Sequence, residues 1–270
     1  MPFTLSHVAA VIPAHRVLSR AGLFSAAVIG SMVPDFGMLL PSSLARWQTH
    51  SLAALFSFCL PVGLLAYLIT LLIIKPAVLE IVPDGAYARL RTAHSTLSPL
   101  SVRSWLYAGL AILLGAVTHL IWDAFTHENA RGVRMFPVLE GFGPEVDGHP
   151  VQLFRWLQYG SSVVGLLVVI GALLMWLHHV PPLAQRLQIP PRPLASRERL
   201  AWTGLYLALP LLAAATGCWR LHTPKLASLP VGWKIEVVAV DGMRGICVSL
   251  VLVSLLLLAR RSLLHRATPA

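Results

Sequence analysis

Charge is what this chain has least of. Only 12 % of its 270 residues are Asp, Glu, Lys or Arg, about half the share in a soluble domain, while 56 % are hydrophobic. That balance excludes a soluble globular protein and leaves an integral membrane protein. Cysteine is scarce too. Cys59, Cys218 and Cys247 fall inside apolar stretches with no paired spacing, which excludes a disulfide framework and a cysteine zinc site. Acidic residues number 11 against 21 Lys and Arg, a net charge of +10 that in a soluble chain would suggest a nucleic-acid partner. Here the basic residues cluster in loops between apolar runs, so topology accounts for them and no nucleic acid is expected. There is no internal repeat, no low-complexity tract and no linker long enough for a second soluble domain. A signal-peptide layout is missing as well, because Arg16 and Arg20 follow the first apolar stretch instead of preceding it.

What the chain does have is charge-free runs long enough to cross hydrocarbon, about 20 residues each. Five stand out, at residues 51–74, 104–127, 160–177, 200–218 and 237–259. A sixth, residues 21–40, is interrupted by Pro34 and Asp35, and can either cross or only dip in. The expected fold is therefore all-α, a polytopic helical membrane protein with five or six transmembrane helices. Residues 1–165 are expected to form a metal-site membrane domain and residues 166–270 to add transmembrane helices without a separate soluble domain. The loops at residues 75–103 and 180–199 plus the C-terminal tail hold eleven basic residues against nine on the other side, a small excess that places the C-terminus in the cytoplasm. The second of these loops carries Pro181, Pro182, Pro190, Pro191 and Pro193 among its arginines, a stiff basic connector suited to an anionic membrane surface.

Against this apolar background, ionisable residues near the membrane carry the functional information, since each costs a few kcal/mol unless it has a partner or an ion. His7, Asp35, His50, His119 and Asp123 sit at the ends of apolar stretches, with His127 one turn further on. His119 and Asp123 are spaced i and i+4 and share a helix face, where they can hold one cation or simply satisfy each other. His127 lies about 12 Å along a straight helix from His119, so it is expected to serve a second ion or to support the first. Mixed imidazole and carboxylate donors suit zinc, iron or manganese better than calcium. His7 and Asp35 could share an ion only if residues 5–13 and 21–33 form a short helical hairpin that returns them to one end. That hairpin is expected, with Arg16 and Arg20 near its turn. Asp241 and Arg244, at i and i+3, read as an ion pair without catalytic role. Gln158 and Ser161 read first as helix-capping groups, and Thr49 or Ser51 as caps for the helix after His50. His94, His149, His178, His179, His222 and His265 lie in loops or at membrane boundaries and read as structural.

The stretches Met1-Pro2-Phe3-Thr4-Leu5-Ser6-His7, Gly30-Ser31-Met32-Val33-Pro34-Asp35, Thr49-His50-Ser51 and His119-Leu120-Ile121-Trp122-Asp123-Ala124-Phe125-Thr126-His127 together resemble the bacterial membrane family catalogued as domain of unknown function 4184. The likeness covers about the first 165 residues, Leu157-Gln158-Tyr159-Gly160-Ser161-Ser162 included, and the later helices match only as apolar filler. The same order of motifs is similar to inner-membrane metal-dependent hydrolases and, more distantly, to zinc-dependent phospholipase C and P1-type nucleases. That resemblance implies one ion held by Asp35, His50, His119 and Asp123 and a second on His7 and Asp123. The soluble enzymes complete a third site with a His-x-x-x-Glu helix. Here Leu153 stands four residues after His149, so one or two divalent ions, zinc first, are expected.

These readings converge on a metal-dependent hydrolase of the bacterial inner membrane, acting on a phosphoester or lipid-linked substrate among membrane lipids. His7, Asp35, His50, His119, Asp123 and His127 are its expected metal residues, Asp35 and Asp123 its catalytic carboxylates, and Asp35 the preferred proton acceptor. Two other classes are open: an ion or proton transporter, which needs ionisable residues along several helices, and a scaffold without chemistry, which tolerates loss of His119 and Asp123.

Overall fold

The computed structural model describes residues 4–20, 22–39, 44–92, 101–146, 148–179 and 194–267. It is almost entirely helical. Five helices are long and apolar enough to cross a membrane: Leu55–Ile81, Val102–Thr126, Leu153–His179, Ser196–Arg220 and Val231–Leu263. Their flanks expose large aliphatic side chains such as Val163, Leu167, Leu174 and Leu211, each more than 59 % accessible, which only a hydrocarbon solvent accommodates in such density. The chain is a multi-pass helical membrane protein. The sixth apolar stretch is too short to span, covering only Phe24–Leu39.

We label Phe24–Met32 α1, Leu55–Ile81 α2, Val102–Thr126 α3, Leu153–His179 α4, Ser196–Arg220 α5 and Val231–Ala267 α6. The chain forms two compact units, one of residues 1–67 and 95–178, the other of residues 68–94 and 179–270. Their division passes through α2 and the end of α4.

The first unit opens with a 3-10 helix, Thr4–Ala14, a helical turn at His15–Arg20, α1, and a second 3-10 helix, Val33–Leu39. This is a short hairpin, and Thr4 Oγ1 donates to Asp35 Oδ2 at 2.7 Å, so its two arms end together. Packing explains its position. A Cβ on Gly30 would stand 2.2 Å from the Ile112 carbonyl oxygen, and one on Gly115 2.2 Å from that of Ala27. The α1 and α3 backbones therefore touch, as small residues permit between membrane helices, with Ala26, Ala27, Ala111 and Ala116 buried along the same seam.

α2 contains Pro61 and Pro76, each of which removes a backbone donor and crowds the preceding turn. Each follows a widened π-helical turn, Leu55–Cys59 and Thr70–Ile74, which makes room for the ring. The helix consequently runs on past Lys75, where the sequence reading began a loop. Between α3 and α4, residues expected to be loop form a helical turn, Arg131–Met135, and an antiparallel hairpin of β1 (Phe142–Val146) and β2 (His149–Gln152).

In the second unit α5 and α6 run antiparallel, tied by Tyr206 to Ser254 at 2.8 Å and by Ser249 Oγ donating to the Tyr206 carbonyl at 2.8 Å. Ala77, Leu194 and Leu257 form its buried core. Its buried acids are paired: Glu80 with Arg261 at 3.0 Å, and Asp241 with Arg220 at 2.8 Å and with Arg244 at 3.1 Å. The expected Asp241–Arg244 pair is thus present, extended by Arg220. The proline-rich part of the connector, residues 180–193, lies outside the described residues, as do Met1, Pro2, Phe3 and His94.

Candidate metal centre

The α1–α3 seam sets the site. One residue past Gly30, the Ser31 carbonyl meets His119 Nδ1 at 2.7 Å. A carbonyl can only accept, so Nδ1 carries the ring proton and Nε2 presents a lone pair on the opposite side. Four residues on along α3, Asp123 points to the same place, and the Val33–Leu39 turn brings in Asp35. His50 arrives from the turn Arg46–Thr49 that precedes α2, its Nδ1 bonded to Thr49 Oγ1 at 2.7 Å. Thr49 therefore orients the imidazole, and the capping role falls to Ser51, whose Oγ accepts from the Ala54 amide at 3.1 Å.

His50 Nε2 lies 3.4 Å from Asp35 Oδ1 and 3.4 Å from Asp123 Oδ2. His119 Nε2 lies 3.6 Å from Asp35 Oδ1 and 3.4 Å from Asp123 Oδ2. A charge-assisted hydrogen bond would close to about 2.7–2.9 Å. Nearby bonds do close: Thr4 to Asp35 at 2.7 Å and Arg46 to Asp123 at 2.6 Å. Two ligands about 2.0–2.1 Å from a tetrahedral zinc stand about 3.3 Å apart. The imidazole–carboxylate spacings match edges of such a polyhedron better than hydrogen bonds.

The remaining oxygen of Asp123, Oδ1, faces a second group, His7 Nε2 at 3.6 Å and His127 Nδ1 at 3.4 Å. Donor atoms of His7, His119 and Asp123 lie within 4.8 Å of one another, as do those of Asp35, His50 and His119. His7 stacks on His119 with centroids 3.8 Å apart, and His7 and Trp122 pack edge-to-face with centroids 6.0 Å apart. The polar atoms with no hydrogen-bond partner are telling. Among the described residues, the buried side-chain atoms without one are both nitrogens of His7, Nε2 of His50 and of His119, and Oδ1 of Asp123. Buried groups of this kind are ordinarily satisfied, and a cation at each of the two donor groups would satisfy all but the outward nitrogen of His7. The donor set fits a divalent metal of the zinc class.

All six expected residues come together. His127 reaches the cluster because α3 ends at Thr126 and His127 adopts an extended backbone, φ −126° and ψ 145°, folding its ring back toward Asp123. Gln158 is not a cap: it is buried five residues inside α4, and its amide faces His127 Nε2 at 3.3 Å. His149, His178, His179 and His222 are exposed, unlike the buried cluster. The sequence reading missed Arg46, whose Nη2 meets Asp123 Oδ2 while the side chain stays 43 % exposed. It also missed Thr4 and Ser31. Arg46 stands four residues before His50, a spacing that could have flagged it.

Burial drives His7 down to about 4, with His119 adding to the shift. Burial also drives His127 down to about 4, against the pull of Asp123. For Asp35, burial acts upward, but the facing His119 and His50 outweigh it and hold the carboxyl at about 2. Neutral imidazoles and ionised carboxylates are the forms that ligate metals.

A family model described as domain of unknown function (DUF4184) matches residues 1–255, and the chain belongs to that family. The match runs well past residue 165, so the later helices are part of the family's pattern and not mere filler. No curated protein and no solved structure matches the chain.

Proposed function

We propose that this protein is a metal-dependent hydrolase of the membrane, acting on a phosphoester. One observation carries the reading: three imidazole nitrogens and a carboxylate oxygen, all buried and without hydrogen-bond partners, converge on one another at spacings suited to coordination. His50, His119, Asp35 and Asp123 would hold one ion, and His7 with Asp123 Oδ1 and His127 a second. A divalent ion there would supply Lewis acidity and a water acidic enough to ionise near neutral pH.

The chain's own groups divide the remaining work. Thr4 engages Asp35 Oδ2, which fixes that carboxylate as a ligand and makes it a poorer proton acceptor than the sequence reading held. With only the first ion bound, Asp123 Oδ1 is the carboxylate oxygen left without a hydrogen-bond donor, so in that one-ion state the proton-accepting role falls to it. Arg46 brings a fixed positive charge to the rim, as oxyanion recognition requires. The charge count supports an orientation with the C-terminus in the cytoplasm and this site on the outer side.

Elemental analysis of detergent-purified protein tests the proposal. The wild type should carry one or two equivalents of a zinc-class metal and hydrolyse a chromogenic phosphoester in a chelator-sensitive way, and Asp123→Asn should do neither. Negligible metal in both proteins would sink the hydrolase and favour the scaffold reading.

A further inference from the structure

Beside the His119–Asp123 stripe, one residue around α3, Thr118, Ile121, Trp122 and Phe125 line an open groove of about 430 Å³, flanked by Ala10 and Leu157. Its few polar wall groups are already engaged. Thr118 Oγ1 donates to the Gly115 carbonyl at 2.7 Å, Thr126 Oγ1 to that of Trp122 at 3.3 Å, and Ser161 Oγ accepts from Trp122 Nε1 at 3.2 Å. The groove thus offers an incoming molecule hydrocarbon alone. Its volume lies low in the range of ligand pockets, about 300–1,000 Å³, which suits one alkyl chain better than a two-chain lipid.

The groove lies beside the candidate metal centre. Trp122 lines the groove and also packs edge-to-face with His7, which stacks on His119. At the rim of the same cluster stands the half-exposed guanidinium of Arg46. An apolar groove therefore lies next to a set of metal-ligating groups that also contacts a half-exposed cation, inside a protein whose spans face lipid.

We infer that the groove beside Trp122 is the alkyl-chain subsite of this centre, so that its substrate is a phosphoester amphiphile drawn from the bilayer and not a water-soluble ester. The chain lies against Ile121 and Phe125 and the phosphate sits at the cluster beside Arg46. This inference rests on the hydrolase reading for its chemistry, but the subsite can be tested without turnover.

The probe is dodecyl phosphate bearing a diazirine at the chain end, photolysed with the full-length protein in phosphatidylcholine nanodiscs, with labelled positions mapped by mass spectrometry. Labelling should concentrate on Ile121, Phe125 and Leu157. It should fall at least about fivefold in Ile121→Trp, which fills the groove from its exposed side, and in Ala10→Phe, while bound metal is unchanged. The matched dodecanol probe should label the groove at least about fivefold less. Labelling of lipid-facing Val163, Leu167 and Leu174 as strongly as the groove, or retention of groove labelling in both filled variants, would overturn the inference. The two readings fail separately: a labelled groove in a protein without metal removes the hydrolase and keeps an amphiphile site, whereas bound metal with an unlabelled groove removes only the subsite.

Discussion

His119 donates its Nδ1 proton to the carbonyl of Ser31 at 2.7 Å, and this contact fixes which nitrogen faces Asp35 and Asp123. It exists because Gly30 and Gly115 let two backbones touch immediately beside it. Gly115→Ala would place a methyl 2.5 Å from the Ser31 amide nitrogen and 2.2 Å from the Ala27 carbonyl oxygen, both backbone atoms that cannot rotate away. We expect this variant to lose about 1–3 kcal/mol of stability and much of its bound metal, although no ligand is changed. Thermal unfolding in detergent beside elemental analysis checks it; an unchanged melting temperature with full metal content would contradict the seam's role.

Loss of a ligand should exceed loss of a ligand's support. His119→Ala and Asp123→Asn should each lower metal affinity more than 100-fold, whereas Thr4→Val, which releases only the far oxygen of Asp35, should lower it about 10–100-fold. His7→Ala should remove at most one of two equivalents, since His7 faces Asp123 but its nitrogens make no contact shorter than 3.6 Å with any carboxylate of the four-ligand group. Competitive metal titration separates these cases.

Arg46 should matter to substrate and not to metal. Arg46→Ala is expected to raise KM for a phosphoester about tenfold and to weaken inhibition by inorganic phosphate, with metal content retained. Arg46→Lys should recover only part of that, because an ammonium cannot both hold Asp123 and present a planar fork to an oxyanion. Loss of metal in either variant would instead make Arg46 a structural support for Asp123.

The histidines at the end of the cluster predict an acid limit for metal-stripped protein. His7 and His127 are both held near about 4, below the ordinary value of 6.5. The unfolded chain therefore takes up these protons first. Above about pH 6.5 neither ring contributes a pH dependence; between about 6.5 and 4 the folded state loses stability, by up to about 3 kcal/mol per ring, and the loss is complete below that window. Melting temperatures across this range should fall for the wild type and fall less for His7→Gln.

Much of this arrangement was legible in the sequence because its periodicity is local. His119 and Asp123 share one helix, and five apolar runs announce five spans. The convergence of His7, Asp35 and His50 on that pair was reached only through the hairpin argument and the order of motifs. It depends on which two of 19 glycines touch, and nothing local to Gly30 or Gly115 says so. Arg46 was overlooked for a related reason: a lone arginine near a membrane boundary looks topogenic until the partner 77 residues away is in view. Gln158 was misread because α4 begins before the apolar run does, at Leu153, which turns an apparent end position into an interior one. The β1–β2 hairpin escaped because Gly143, Pro144 and Gly148 interrupt any period-two pattern.

A seam built from bare backbone has no gate in it. Side-chain rotation cannot part α1 from α3 at Gly30 and Gly115, so the walls around His7 and His119 stay shut on that flank. Parting that flank would take movement of the helices themselves, which is far slower than the rotation of a side chain.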